Sequence, residues 1–113
     1  MTNHNRWYDN DPFLKEALEL LSLSSEETQG EAADFVLGLQ DQVAADVIER
    51  IYETVTKYKD VGNRWYDKDT VMLKAMELLR VAKPSVQRIA AKKILKALAQ
   101  DSFDGIESDF SKE

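Results

Sequence analysis

The chain has 113 residues, with 21 acidic and 15 basic side chains, a single histidine and no cysteine. The lack of cysteine excludes disulfides, thiolate nucleophiles and zinc–thiolate centres, and one histidine, at position 4, leaves a nucleophile–histidine pair little to stand on. Four glycines and two prolines favour long helices over the repeated turns of an all-β fold, and the length suits one domain with its own core.

The pentapeptide NRWYD comes first, at Asn5–Asp9, and recurs at Asn63–Asp67, using both tryptophans. After its first copy, Asp11 predicts an N-cap and Pro12 a first helical residue. Phe13, Leu14, Ala17, Leu18, Leu20 and Leu21 then form the apolar stripe of a first helix. Ser24 to Glu27 reads as a capping box that opens a second helix, with Ala32, Ala33, Phe35, Val36, Leu37 and Leu39 on its apolar face. From Asp41 to Tyr58, Val43, Ala44, Val47, Ile48, Ile51, Val55 and Tyr58 recur at helical steps. This long third helix is the expected central packing element or a dimer seam, and KDVG at 59–62 ends it. Asp69 caps a fourth helix carrying Val71, Met72, Ala75, Met76, Leu78 and Leu79. Pro84 opens a fifth, with Val86, Ile89, Ala90, Ile94, Leu95 and Leu98. The acidic stretch 101–113 has no apolar period and is expected to be disordered.

A shift of 58 positions aligns the two halves without a gap. Beyond the pentapeptide it matches Asp11 with Asp69, Ala17 with Ala75, Glu19 with Glu77, Leu20 with Leu78 and Leu21 with Leu79. It also matches Gln29 with Gln87, Ala32 with Ala90, Ala33 with Ala91 and Leu37 with Leu95. Matching this clustered is the signature of duplication. The fold expected is all-α: a five-helix bundle of two duplicated αα-hairpins joined by the long central helix. Residues 1–100 form a single domain with internal repeats at 5–40 and 63–98, followed by the tail. A two-fold and a translational relation between the hairpins are both compatible with the sequence. The stretch MLKAMELLRVAKPSVQRIAAKKILKAL, Met72–Leu98, resembles a HEAT-type hairpin, and that resemblance implies a protein-binding scaffold.

The pentapeptides have two readings. As packing devices, Trp7, Tyr8, Trp65 and Tyr66 would staple the entering chain onto the helices. Asp9 or Asp67 would then take an indole N–H, and Arg6 and Arg64 would stack on the rings or pair with those aspartates. As recognition loops, the same Arg, Trp and Tyr are the residue types enriched at binding hot spots.

Charge is divided along the chain. Residues 1–62 carry 5 basic and 13 acidic side chains, residues 63–100 carry 9 and 3, and residues 101–113 carry 1 and 5. Arg88, Lys92, Lys93 and Lys96 give the fifth helix a basic face, suited to charge balance within the chain with the acidic tail folding back, to the acidic half of a second copy or, less well, to RNA or another anion.

Chemical sites are weaker. Asp9/Asp11 and Asp67/Asp69 form D-x-D pairs but lack the glycine and glutamate of a calcium loop, and capping accounts for Asp11 and Asp69. Glu16, Glu19, Glu31 and Asp34 are similar to the magnesium-binding pattern of all-α nucleotide pyrophosphohydrolases, which would make the chain a metal-dependent hydrolase. The helical wheel points those carboxylates away from the apolar stripes, and the second half keeps only Glu77. The sequence therefore predicts a non-enzymatic interaction module, an adaptor or regulator without cofactor or metal. Its expected partner is another protein, with a homodimer as the second expectation and nucleic acid not favoured. The candidate surface is Arg6, Trp7, Tyr8, Arg64, Trp65, Tyr66, Arg88, Lys92 and Lys96. Without an apolar secretory segment or a run of about 18 apolar residues, neither export nor a membrane is expected, and a cytoplasmic location is the default.

Overall fold

Asp11 and Asp69 start their helices in the same way. In each case one carboxylate oxygen accepts the N–H of the residues two and three positions on, Phe13 and Leu14 or Val71 and Met72. These bonds satisfy donors that a helix start leaves open. The computed structural model describes residues 6–58, 65–67 and 69–106. There it forms α1 (Pro12–Ser22), α2 (Glu26–Leu37), a 3-10 helix (Gly38–Gln42), α3 (Ala45–Tyr58), α4 (Thr70–Val81) and α5 (Pro84–Ala99). Among the described residues there is no strand. The Cα radius of gyration, 13.4 Å, is that of a compact chain of about 100 residues. His4, the stretch 59–62, Arg64 and residues 107–113 lie outside the described residues, as does the side chain of Tyr58.

The helix pairs do not close as hairpins on themselves. The most extensive packing is α1 against α5 and α2 against α4, whereas α1 touches α2 only slightly. Buried alanines permit these close approaches: Ala32 and Ala33 on α2, Ala75 on α4, Ala17 on α1, and Ala90 and Ala91 on α5. The stacked hairpins implied by the HEAT-type resemblance would instead pair α1 with α2 and α4 with α5. α1 and α5 run in the same direction, since Asp11 meets Arg88 near their starts and Leu20, Leu95 and Leu98 line one concavity near their ends.

Three boundaries differ from the sequence reading. The cap of α2 is Ser25, whose hydroxyl accepts the Thr28 N–H, while Ser24 turns back to donate to the Leu20 carbonyl. The third helix starts at Ala45 rather than Asp41, because the chain tightens into the 3-10 helix after Leu37 and Val43 is extended. Tightening of this kind is common where an α-helix ends. Val47 and Ile48 N–H then both donate to the Ala44 carbonyl and begin α3. Residues 101–106 are also placed. Asp101 and Gly105 adopt positive φ, Gln100 Nε2 donates to the carbonyls of Ser102 and Asp104, and the Phe103 ring meets Phe35 at 5.7 Å. Phe103 and Ile106 rest on the core, so apolar anchoring outweighs the acidic composition as far as residue 106.

The central helix is α4, not α3. Met72, Leu73, Ala75, Met76, Leu78 and Leu79 are all buried, with α2, α3 and the 3-10 helix packed around them. α3 is peripheral: Ile51 and Val55 are buried, but Tyr52 is nearly half exposed, and its main contact is α4.

Candidate functional site

The first pentapeptide ties the two halves together. Trp7 Nε1 donates to the Tyr66 hydroxyl at 3.0 Å, so the indole partner is a tyrosine of the other copy and not Asp9. Asp9 is held by Arg6, whose backbone N–H and Nε both donate to it. Arg6 also reaches Glu19 at 2.7 Å and lies 4.8 Å above the centre of the Tyr8 ring. The bonds it donates to Glu19 and then to Asp9 raise the guanidinium pKa above its ordinary value. Asp9 is lowered below 3.8, first by the Arg6 backbone N–H and then, against desolvation, by the Arg6 side chain.

The copies are alike locally. Trp7–Tyr8 and Trp65–Tyr66 both cross edge to face at 5.2 Å, a favoured aromatic geometry. Tyr8 and Tyr66 are buried, and Trp7 and Trp65 are partly so. Asp67 and Glu77, 58 positions after Asp9 and Glu19, are buried as well, and Glu77 accepts two bonds from Arg80. Gln29 and Gln87 play one role: each side-chain amide donates to carbonyls at the end of the preceding helix, Leu21 and Ser22 or Leu79 and Arg80. One difference stands out. Among the described residues no acceptor meets the buried Trp65 Nε1, whereas Tyr8, the counterpart of Tyr66, takes a bond from Arg6 Nη1.

The basic face of α5 is partly engaged. Arg88 Nε donates to Asp11 at 3.1 Å, and Lys92 Nζ sits 5.2 Å from the centre of the Phe13 ring. Lys96 is exposed and belongs to the last turn. Burial pushes the Asp11 carboxyl up, but the Arg88 bond and the N–H groups of Phe13 and Leu14 outweigh it, and the group lies below 3.8. Asp9 and Asp11 therefore contribute stability that is fully present above that value and lost as pH falls through their lowered folded values. Asp11→Asn, which keeps a cap oxygen but cannot titrate, is expected to lose less stability than the parent on acidification. Urea midpoints at neutral pH and below 3.8 check this, and equal losses would refute it.

The four carboxylates of the hydrolase pattern stay apart in role. Glu19 is bound by Arg6, while Glu16, Glu31 and Asp34 are exposed. Among the described residues no group of three or more His, Asp or Glu side chains is placed to hold a metal ion.

One concavity was not legible as a site in the sequence. It is an open groove of about 670 Å³ between the ends of α1 and α5 and the start of α2. Leu20, Leu95 and Leu98 form its apolar floor, Ser25 and Thr28 one wall, and its charged lining residues are Glu16 and Asp101. Leu20, assigned to the core stripe from its spacing, is 43% exposed, and neighbouring Leu23 is 83% exposed. The usable signal lay in the internal comparison. Where the first half has Lys15, Glu16 and Thr28, the second has Leu73, Lys74 and Val86, so only the second half is apolar enough to be covered on that side.

Fold and site together define an all-helical protein whose α1–α5 layer carries an open, acid-rimmed apolar groove. Comparison with family models, curated proteins and solved structures finds no match to this chain. Among the described residues no helix is long and apolar enough to cross a membrane.

Proposed function

We propose that the chain is a duplicated helical unit acting as a non-enzymatic protein–protein interaction module, an adaptor or regulator. The observation that carries this is the groove, with Leu20 and Leu23 exposed beside it. Apolar side chains gathered in a concavity with a few polar groups make a candidate binding site, whereas single exposed leucines are ordinary. The duplication is supported by bonds repeated at positions 58 apart: the aspartate caps, the glutamine amides and the Trp–Tyr pairs. A pseudo-two-fold is favoured over a translation, because exchanging the halves turns the α1–α5 contact into the α4–α2 contact, and those are the two dominant ones.

This reading moves the binding surface away from the pentapeptides. Buried Tyr8 and Tyr66 offer a partner little side-chain area. Arg6 and Arg88 are already paired within the chain, which weakens the case for an anion or RNA site. A photo-crosslinking residue in place of Leu23, compared with one in place of exposed Glu49 on α3, tests the proposal in cells expressing the protein. A protein adduct specific to position 23 is expected. The same adducts from both positions, or none from either, would defeat the reading.

A further inference from the structure

We propose that the groove of α1 and α5 is the seat of a basic amphipathic helix supplied by a partner protein. The inference rests on the duplicated, pseudo-two-fold reading above and identifies the chemistry of the partner. Under that relation Glu16, Leu20 and Thr28 of the groove correspond to Lys74, Leu78 and Val86 of the second half. The corresponding place there is occupied. α3 packs along α4, and Tyr52 of α3 lies 4.4 Å from Lys74 Nζ. Leu78 is 0% exposed, in contrast to Leu20. Among the described residues, the side of α4 that carries Lys74 is thus covered by an amphipathic helix, while the matching side of α1 is open.

The occupant of the open seat has a definable character. α3 uses Val47, Ile48, Ile51 and Val55 against the core, and helix-in-groove recognition reads such three- and four-residue steps. A stripe of this kind suits Leu20, Leu95 and Leu98. Its flanks must differ from those of α3. Lys74 presents a cation to α3, whereas Glu16 presents an anion at the same place, and Asp101 adds a second where the other half has Val43. Complementary charge across an interface selects the partner and suppresses wrong ones, so lysines or arginines should flank the stripe.

Two synthetic peptides provide the probe. One has the α3 sequence, Ala45–Tyr58. The other has the same stripe with Asp46→Lys, Glu49→Lys and Glu53→Lys. Each is titrated into the full-length 15N-labelled protein while amide shifts and peptide helicity are followed. The lysine peptide, only marginally helical when free, is expected to gain helicity and to shift Leu20, Thr28 and Leu98. It should bind at least about tenfold more tightly than the α3 peptide. Leu20→Asp should abolish binding, and Glu16→Lys should reverse the preference. Shifts confined to α4 would mean displacement of the protein's own α3 and would overturn the proposal. A parent dimer that Leu20→Asp converts to monomer by sedimentation would make the occupant a second copy, and would overturn it too. If neither peptide binds while the crosslink at position 23 persists, the helix chemistry is wrong and the interaction reading survives. Failure of both removes both.

Discussion

Leu78→Ala is expected to cost about 3 kcal/mol of folding stability, and Leu20→Ala no more than about 1, although the two leucines occupy matching places 58 residues apart. Leu78 is fully buried on the central helix and Leu20 is 43% exposed at the groove. Removing a buried leucine loses its transfer free energy and leaves a cavity that its neighbours fill only in part. At Leu20 the removed atoms were already partly in water and solvent takes their place. In a domain of this size the first change should lower Tm by on the order of 10–20 °C. Urea unfolding should show a lower midpoint with an unchanged slope. Equal losses at the two sites would mean that the groove is closed in solution, and the pairing of filled and open seats would fall with it.

The same pair shows how far the sequence could be read. Local signals were sufficient for the helices: Asp11, Asp69 and Pro84 mark starts that the structure keeps, and the stripe Leu14, Ala17, Leu18 and Leu21 is buried at the expected steps. Periodicity gives the direction of a stripe but not its width, so the predicted stripe takes in Phe13 and Leu20, although both are 43% exposed. Nor does it say which helix covers which. The long regular stripe of α3 suggested a central element. α4 is central because it is apolar around more of its circumference, with Leu73 where α1 has Lys15. Packing α1 on α5 and α2 on α4 depends on contacts far apart in sequence, about which a hairpin pattern is silent. The groove is a consequence of that packing, and no described element covers it. It could be inferred only by asking which half of the chain has polar residues, Lys15 and Thr28, where the other has Leu73 and Val86.

The tryptophans provide a second pair with unequal expected effects. Trp7→Ala should cost about 2–4 kcal/mol, since much of a large ring leaves the core edge. Trp7→Phe isolates the polar part: it retains most of the apolar area but removes the N–H donated to Tyr66. A loss of about 1 kcal/mol is expected from that bond. In a double-mutant cycle with Tyr66→Phe, most of it should appear as coupling between the two residues. Trp65→Phe should behave differently. Its N–H is buried without an acceptor among the described residues, so the parent already bears the cost of burying an unsatisfied donor. Phenylalanine relieves that cost while giving up some ring area, and the net change should lie within about 0.5 kcal/mol of zero. The repeated pentapeptide thus makes one Trp–Tyr bond between the halves where strict two-fold symmetry would make two, and Arg6 occupies the Tyr8 hydroxyl at the matching place. Arg6→Met, which frees that hydroxyl, should make Trp65→Phe costly. Nonadditivity of that sign, measured by urea unfolding of the two single variants and the double variant, is the expected result. Simple additivity would show that Tyr8 and Trp65 are held apart by the backbone and not by competition for a hydrogen bond.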